Sequence, residues 1–221
     1  MNKKLFCIMT LLAIVALALT GCGGKKPTLK MATGGTTGTY YAYSGAVSQV
    51  LSQKIDNLSF DVQSTGASKA NIYLVSDKEA DIALVQNDVM FYANNGTDLF
   101  AGDKVSGFSA MAGVYAEVCQ IVAKSDINSI EDLKGKRVSV GDIGSGVEFN
   151  ARQILEAYGI TFDDIIVNNL SFGDSATAFK DAKIDAFFCV AGAPTTAIVE
   201  LATTNQIKLL EVDDEHAAAL I

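Results

Sequence analysis

The densest run of ligand-capable groups is Ala32-Thr33-Gly34-Gly35-Thr36-Thr37-Gly38-Thr39-Tyr40-Tyr41, between a strand-like stretch and a helical pattern. Glycine lets a backbone approach a bound molecule closely, and the free N–H groups at a helix start favour an anion. The threonines add hydroxyl donors, and Tyr40 and Tyr41 offer flat apolar walls with polar tips. A second turn, Gly141-Asp142-Ile143-Gly144-Ser145-Gly146, again follows a strand and opens a helix. Its spacing is G-x-x-G-x-G and not the G-x-G-x-x-G of dinucleotide binding, and Asp142 would repel a pyrophosphate. The N–H groups of Ser145 and Gly146 suit a carboxylate better. Further polar turns are Ser64-Thr65-Gly66-Ala67-Ser68, Gln86-Asn87-Asp88 and Ala191-Gly192-Ala193-Pro194. The last two end strands, the edge at which open α/β sheets place their ligands. Taken singly these are ordinary turn chemistry. Spread over both halves of the chain, they predict a cleft lined by Gly38, Thr39, Tyr40, Tyr41, Thr65, Gln86, Asn87, Gly144, Ser145, Gly146 and Gly192.

Catalytic groups are scarce. The single histidine, His216, sits in the acidic segment Asp213-Asp214-Glu215-His216 and reads as a solvated tail residue. No close cysteine–histidine spacing suggests a metal, so no cofactor is implied and the protein does not read as an enzyme. The two arginines, Arg137 and Arg152, are too few to neutralise phosphates in a chain carrying 25 acidic residues, which argues against nucleic acid.

The elements that would position these turns alternate between strand and helix, which predicts an α/β fold with mostly parallel sheets. Strands are expected at 29–32, 58–62 and 82–85. Helices are expected at 40–55, with an apolar stripe of Tyr43, Val47, Val50, Leu51 and Ile55, and at 68–76. An almost uncharged strand-like stretch at 108–123 marks a first crossing between lobes. A serine-capped helical turn follows at 129–137, then strands at 137–140, 165–170, 186–190 and 207–212. Helices are expected between them at 146–158, 174–183 and 194–204. The two halves repeat one unit, most visibly in Asp81-Ile82-Ala83-Leu84-Val85 against Asp185-Ala186-Phe187-Phe188-Cys189.

The first residues read as an export signal. Lys3 and Lys4 precede an apolar run at 5–19 that is short for a bilayer span. Leu19-Thr20-Gly21-Cys22 resembles the bacterial lipobox, which implies a signal peptide at 1–21 and a lipid on Cys22, with 22–28 as a tether. Loss of residues 1–21 leaves 15 basic against 25 acidic residues, a net charge of −10. Of the four cysteines, Cys7 would leave with the signal and Cys22 would carry lipid. Cys119 and Cys189 remain and read as small buried hydrophobes, with a disulfide as the alternative.

Several segments together resemble the TAXI-type solute-binding subunits of TRAP transporters. They are ATGGTTGTYY at 32–41, STGAS at 64–68, ADIALVQNDV at 80–89, IEDLKGKRVSVGDIGSG at 130–146 and IDAFFCVAGAP at 184–194. The resemblance implies a type II periplasmic-binding-protein-like fold of two βαβ lobes with the ligand cleft between them, 29–114 forming lobe 1 and 115–221 lobe 2. It also implies that the chain normally runs further and returns to lobe 1, so that lobe 1 is incomplete here. The implied function is capture of a glutamate- or glutamine-like carboxylate outside the cytoplasm, at a lipid-anchored location, and delivery to TRAP membrane subunits. Arg137 lies at a strand entry and Arg152 well into a helix. A carboxylate would therefore rest on helix-start groups at Thr39, Tyr40, Ser145 and Gly146, with Gln86 and Thr65 orienting the remainder. The alternatives are a binding protein of the same fold serving an ABC importer, or a lipid-anchored ligand sensor.

Overall fold

A computed structural model describes residues 27–220, so the export signal, Cys22 and most of the tether lie outside the described residues. The first half alternates β1 (Thr28–Ala32), α1 (Thr39–Lys54), β2 (Ser59–Gln63), α2 (Ser68–Ser76), β3 (Ile82–Ala83) and α3 (Asn87–Asn95). Its strands form a three-stranded parallel sheet in the order β2-β1-β3. A largely irregular segment then leads to β4 (Val118–Ala123). The second half follows as β5 (Arg137–Ser139), α4 (Gly146–Ala157), β6 (Ile166–Asn168), α5 (Phe172–Lys180), β7 (Ala186–Ala191), α6 (Thr196–Thr204), β8 (Lys208–Leu210) and α7 (Asp214–Ala218). Its five-stranded sheet has the order β6-β5-β7-β4-β8. Here β5, β6 and β7 are parallel, and β4 runs antiparallel to both β7 and β8.

The orders β2-β1-β3 and β6-β5-β7 are the same arrangement, and the repeat extends to single bonds. Asp81, just before β3, accepts the Lys30 N–H of β1 at 2.8 Å through its carboxylate. Asp185, just before β7, accepts the Arg137 N–H of β5 at 3.0 Å in the same way. The backbones answer in kind, the N–H groups of Asp81 and Asp185 donating to the carbonyls of Lys30 and Arg137 at 2.9 and 2.8 Å. An aspartate at this place thus satisfies the entry amide of the neighbouring strand, a group that would otherwise lack an acceptor.

The larger core lies under the five-stranded sheet. On one face Leu155, Val138, Phe188 and Ile121 pack together with Ile130 and Leu133, and on the other Phe187, Cys189, Ile184 and Leu201 do so. Helix α4 contributes Val147, Ala151, Ile154 and Leu155, the stripe its 3.6-residue spacing predicts. The first half has a smaller cluster around Ile72, Val89, Ala93 and Phe100.

Several expectations need correction. The stripe on α1 is not a core face: only Ser44 is buried on that helix, and Tyr43, Val50 and Ile55 are exposed. Helix α3 is absent from the sequence reading, because its apolar residues run consecutively from Val89 to Tyr92 and present no stripe. The stretch 108–117 has no strand partner among the described residues and stays irregular; pairing with β7 begins only at Val118. The expected serine-capped turn is a 3-10 turn over Glu131–Leu133, and the Asp132 carboxylate accepts the N–H groups of Asn128 and Ser129. Helix α6 begins at Thr196, beyond the cis Ala193-Pro194 bond. Cys119 is exposed where a small buried hydrophobe was expected, whereas Cys189 is buried as expected, and both are free. Cys119 pairs in register with Val190, and Cys189 with Gln120, so adjacent-strand pleating places the two cysteines on opposite faces of the sheet.

Candidate functional site

The starts of α1 and α4 meet across a single crevice between the two sheets. Its first-half wall comprises Gly34, Gly35, Gly38, Thr39 and Tyr40 of the loop into α1, then Ala67 and Ser68 at the start of α2, and Gln86 before α3. The second half supplies Asp142, Ser145 and Val147 around the start of α4, with Phe172, Val190 and Ala191, and Glu117 comes from the connecting segment. The free space is about 40 Å³, room for a few water molecules.

Each loop takes its shape from local chemistry. Ser145 caps α4: its hydroxyl accepts the Glu148 N–H at 3.1 Å, and the Glu148 carboxylate accepts the Gly144 N–H at 2.7 Å. Gly141 has φ +93°, and a Cβ there would come within 2.9 Å of Val147 and Ser145, so only glycine permits this turn. Gly146 is required for a different reason: a Cβ would overlap the Gln86 side chain from the opposite wall. Ala67 carries backbone strain, with φ 65° and ψ −147°, a region otherwise almost confined to glycine.

Of the nominated residues, Gly38, Thr39, Tyr40, Gln86 and Ser145 line the crevice. Gly146 lies against Gln86, and the Gly192 carbonyl accepts the Thr39 hydroxyl at 3.1 Å. Four others lie elsewhere. The Thr65 hydroxyl holds its own loop, bonding the Thr33 carbonyl and Asn71 Oδ1 at 2.8 and 2.6 Å and accepting the Ala67 N–H at 3.1 Å. Gly144 abuts Lys69, Asn87 faces a shallow depression with Met90 and Phe91, and Tyr41 is not among the lining residues. Several expected donors are already engaged. The Tyr40 hydroxyl donates to Glu117 at 3.1 Å, and the Ser145 N–H donates to the Asp142 carbonyl at 2.9 Å. What remains are the first-turn amides of α1 at Thr39, Tyr40 and Tyr41 and of α4 at Gly146 and Val147, which have no intrahelical acceptor.

Sequence reasoning weighed Asp142 only as a charge against pyrophosphate and missed Glu117, and both line the crevice. Burial pushes the Glu117 carboxyl up to about 7, although its bond from Tyr40 pulls the other way. Asp142 is also raised, by burial and then by the Asp174 charge. The Tyr40 hydroxyl is pushed up by burial first and by Glu117 second. Both arginines are occupied elsewhere. Arg137 grips Asp185 through Nε and Nη2 at 2.9 and 2.7 Å, and Arg152 lies 4.0 Å over the Phe162 ring. His216 is stacked on Tyr158, centroids 3.7 Å apart, in a short helix where a free tail was expected.

Further bonds close the halves on one another. Gln86 Nε2 donates to Asn150 Oδ1 at 2.7 Å, and Asn150 Nδ2 to Asp88 at 3.3 Å. The rings of Tyr92 and Phe149 meet edge to face with centroids 4.8 Å apart.

Two repeated α/β halves with the ligand-capable loops turned toward a shared crevice make this a type II periplasmic-binding-protein-like fold, as solved structures of that kind bear out. The alkanesulfonate-binding protein SsuA from Xanthomonas axonopodis pv. citri superposes with a TM-score of 0.57 at 18% identity, over 84% of this chain and 61% of that one. The glutathione-import protein GshT of Streptococcus mutans gives 0.54 at 16% identity, over 86% and 78%. The GluR0 ligand-binding core from Nostoc punctiforme, solved with L-glutamate, gives 0.54 at 15% identity, over 84% and 78%. The chain belongs to the NMT1-like family, whose model matches residues 31–221. That match replaces the TAXI-type assignment drawn from the glycine-rich segments: such loops follow from the shared fold and do not separate its families. The chain spans about three-fifths of the length of the alkanesulfonate-binding protein it matches.

Proposed function

We propose that the chain is a non-catalytic solute-binding protein that works outside the cytoplasm, captures a small polar solute between its halves and delivers it to a membrane importer of the ABC type. The observation that carries this is the meeting of two glycine-rich helix starts, from Gly38 and from Ser145, on one crevice. The fold supports it, since the solved relatives are named for binding alkanesulfonate or glutamate, or for glutathione import together with a cystine ABC importer. The moving units are taken as 29–114 and 115–221, joined through the irregular segment before β4. The ligand is amino-acid-like, with its carboxylate on the first-turn amides of α1 and α4, where the helix dipoles favour negative charge. The Leu19-Thr20-Gly21-Cys22 sequence supports attachment to the membrane through lipid on Cys22.

Solute binding selects, from the arrangements of the two halves that the free protein samples, the one with room for the solute. Calorimetry with amino acids and small carboxylates tests the reading. Ser145→Ala and Gln86→Ala are each expected to weaken binding by about 1–3 kcal/mol, the loss of a buried hydrogen bond. Unchanged affinity in both variants overturns the assignment of the site.

A further inference from the structure

We infer that the solute taken by this crevice carries a protonated amine, held by the carboxylates of Glu117 and Asp142. The inference rests on the solute-binding reading and narrows its ligand class. Both charged side chains lining the crevice are acidic, and no lysine or arginine is among the lining residues. The nearby cation is committed: Lys69 Nζ donates to the Leu99 carbonyl at 2.6 Å and lies over the Phe100 ring. Glu117 receives one side-chain hydrogen bond among the described residues, from Tyr40 to Oε2, which leaves Oε1 for a ligand.

Two partly buried carboxyls without a cation are costly unless a positive group arrives from outside. An ammonium supplies that charge and three donors. The Tyr40 ring beside it adds an aromatic wall, with the Tyr115 ring 6.4 Å away. Val147, Phe172 and Val190 leave an apolar side for the solute's body. A solute with surplus negative charge is repelled, so glutamine is favoured over glutamate and a diamine is tolerated.

The ammonium needs Glu117 ionised. The charged and titratable groups acting on Glu117 are Tyr40 on α1, Asp88 on α3, Tyr115 beside it and Cys189 on β7, and Asp142 lines the same crevice. With Glu117 titrating near 7, amine binding strengthens as pH rises through that value and weakens below it.

The test is a thermal-shift and calorimetric panel on the whole mature chain: L-glutamine, L-glutamate, L-ornithine, putrescine, succinate, an alkanesulfonate and a sugar, at pH 6 and pH 8. Glutamine or an amine is expected to bind, more tightly at pH 8. Glu117→Gln and Asp142→Asn are each expected to lose roughly 10- to 100-fold in affinity, as for a hydrogen bond to a charged group. Binding confined to probes without an amine, or amine binding unchanged in both variants, overturns the amine site and leaves solute capture standing. Absence of binding by every probe overturns both.

Discussion

At the scale of single residues, charge placement separates scaffold from site. Asp185 is a scaffold carboxylate: it accepts from the Arg137 backbone and guanidinium and from Lys124, and these bonds hold its carboxyl well below the usual range. Asp185→Asn is expected to cost about 1.5–3 kcal/mol in denaturant unfolding, toward the lower end because Lys124 and Arg137 are partly exposed. A depressed folded-state value means that the contribution is complete above the unfolded pKa near 4 and fades as pH falls through the depressed one. The gap between wild type and variant should therefore close in acid. Glu117 has the opposite sign. Its raised folded-state value means that the unliganded protein loses stability as pH climbs from about 4 to about 7 and then levels off. Glu117→Gln should remove that slope, so its melting temperature should exceed wild type at pH 8 and match it near pH 4.

At the scale of elements, legibility followed what each segment does for itself. The β/α alternation, the α4 stripe and the Asp-led strands were readable because their signals are local: periodicity, a serine cap and an aspartate satisfying one strand-entry amide. What depends on a distant partner was not readable. The stretch 108–117, uncharged but for Glu117, looks like a strand, but strand propensity does not say whether a neighbour is present, and Met111 and Val114 stay exposed. Glu117 gave no signal because its role depends on where that connection runs. The loop into α2 shows the same limit, since its strain sits at Ala67 while the glycine beside it has ordinary geometry. Ala67→Gly is expected to stabilise the protein by about 1 kcal/mol, read by urea unfolding, because only glycine tolerates that backbone conformation without cost. A destabilised variant would mean that the Ala67 methyl contributes more by packing than its backbone costs.

At the scale of the whole molecule, the internal repeat accounts for most of the architecture: one β-α-β-α-β unit used twice, with β4 and β8 widening only the second sheet. Side chains bridge the halves at several places, among them Thr39 with Gly192, Tyr40 with Glu117, and Gln86 and Asp88 with Asn150. These bonds shut the crevice down to a volume suited to water, smaller than an amino acid needs. The molecule therefore acts as its own competitor, because an entering solute must first displace a side chain folded over the binding seat. When the binding-competent state is only a fraction of the population, apparent affinity falls by that fraction. Asn150→Ala, which touches no proposed ligand atom, should accordingly tighten solute binding and speed association in stopped-flow measurements. Looser binding would mean that Asn150 belongs to the seat and not to its cover.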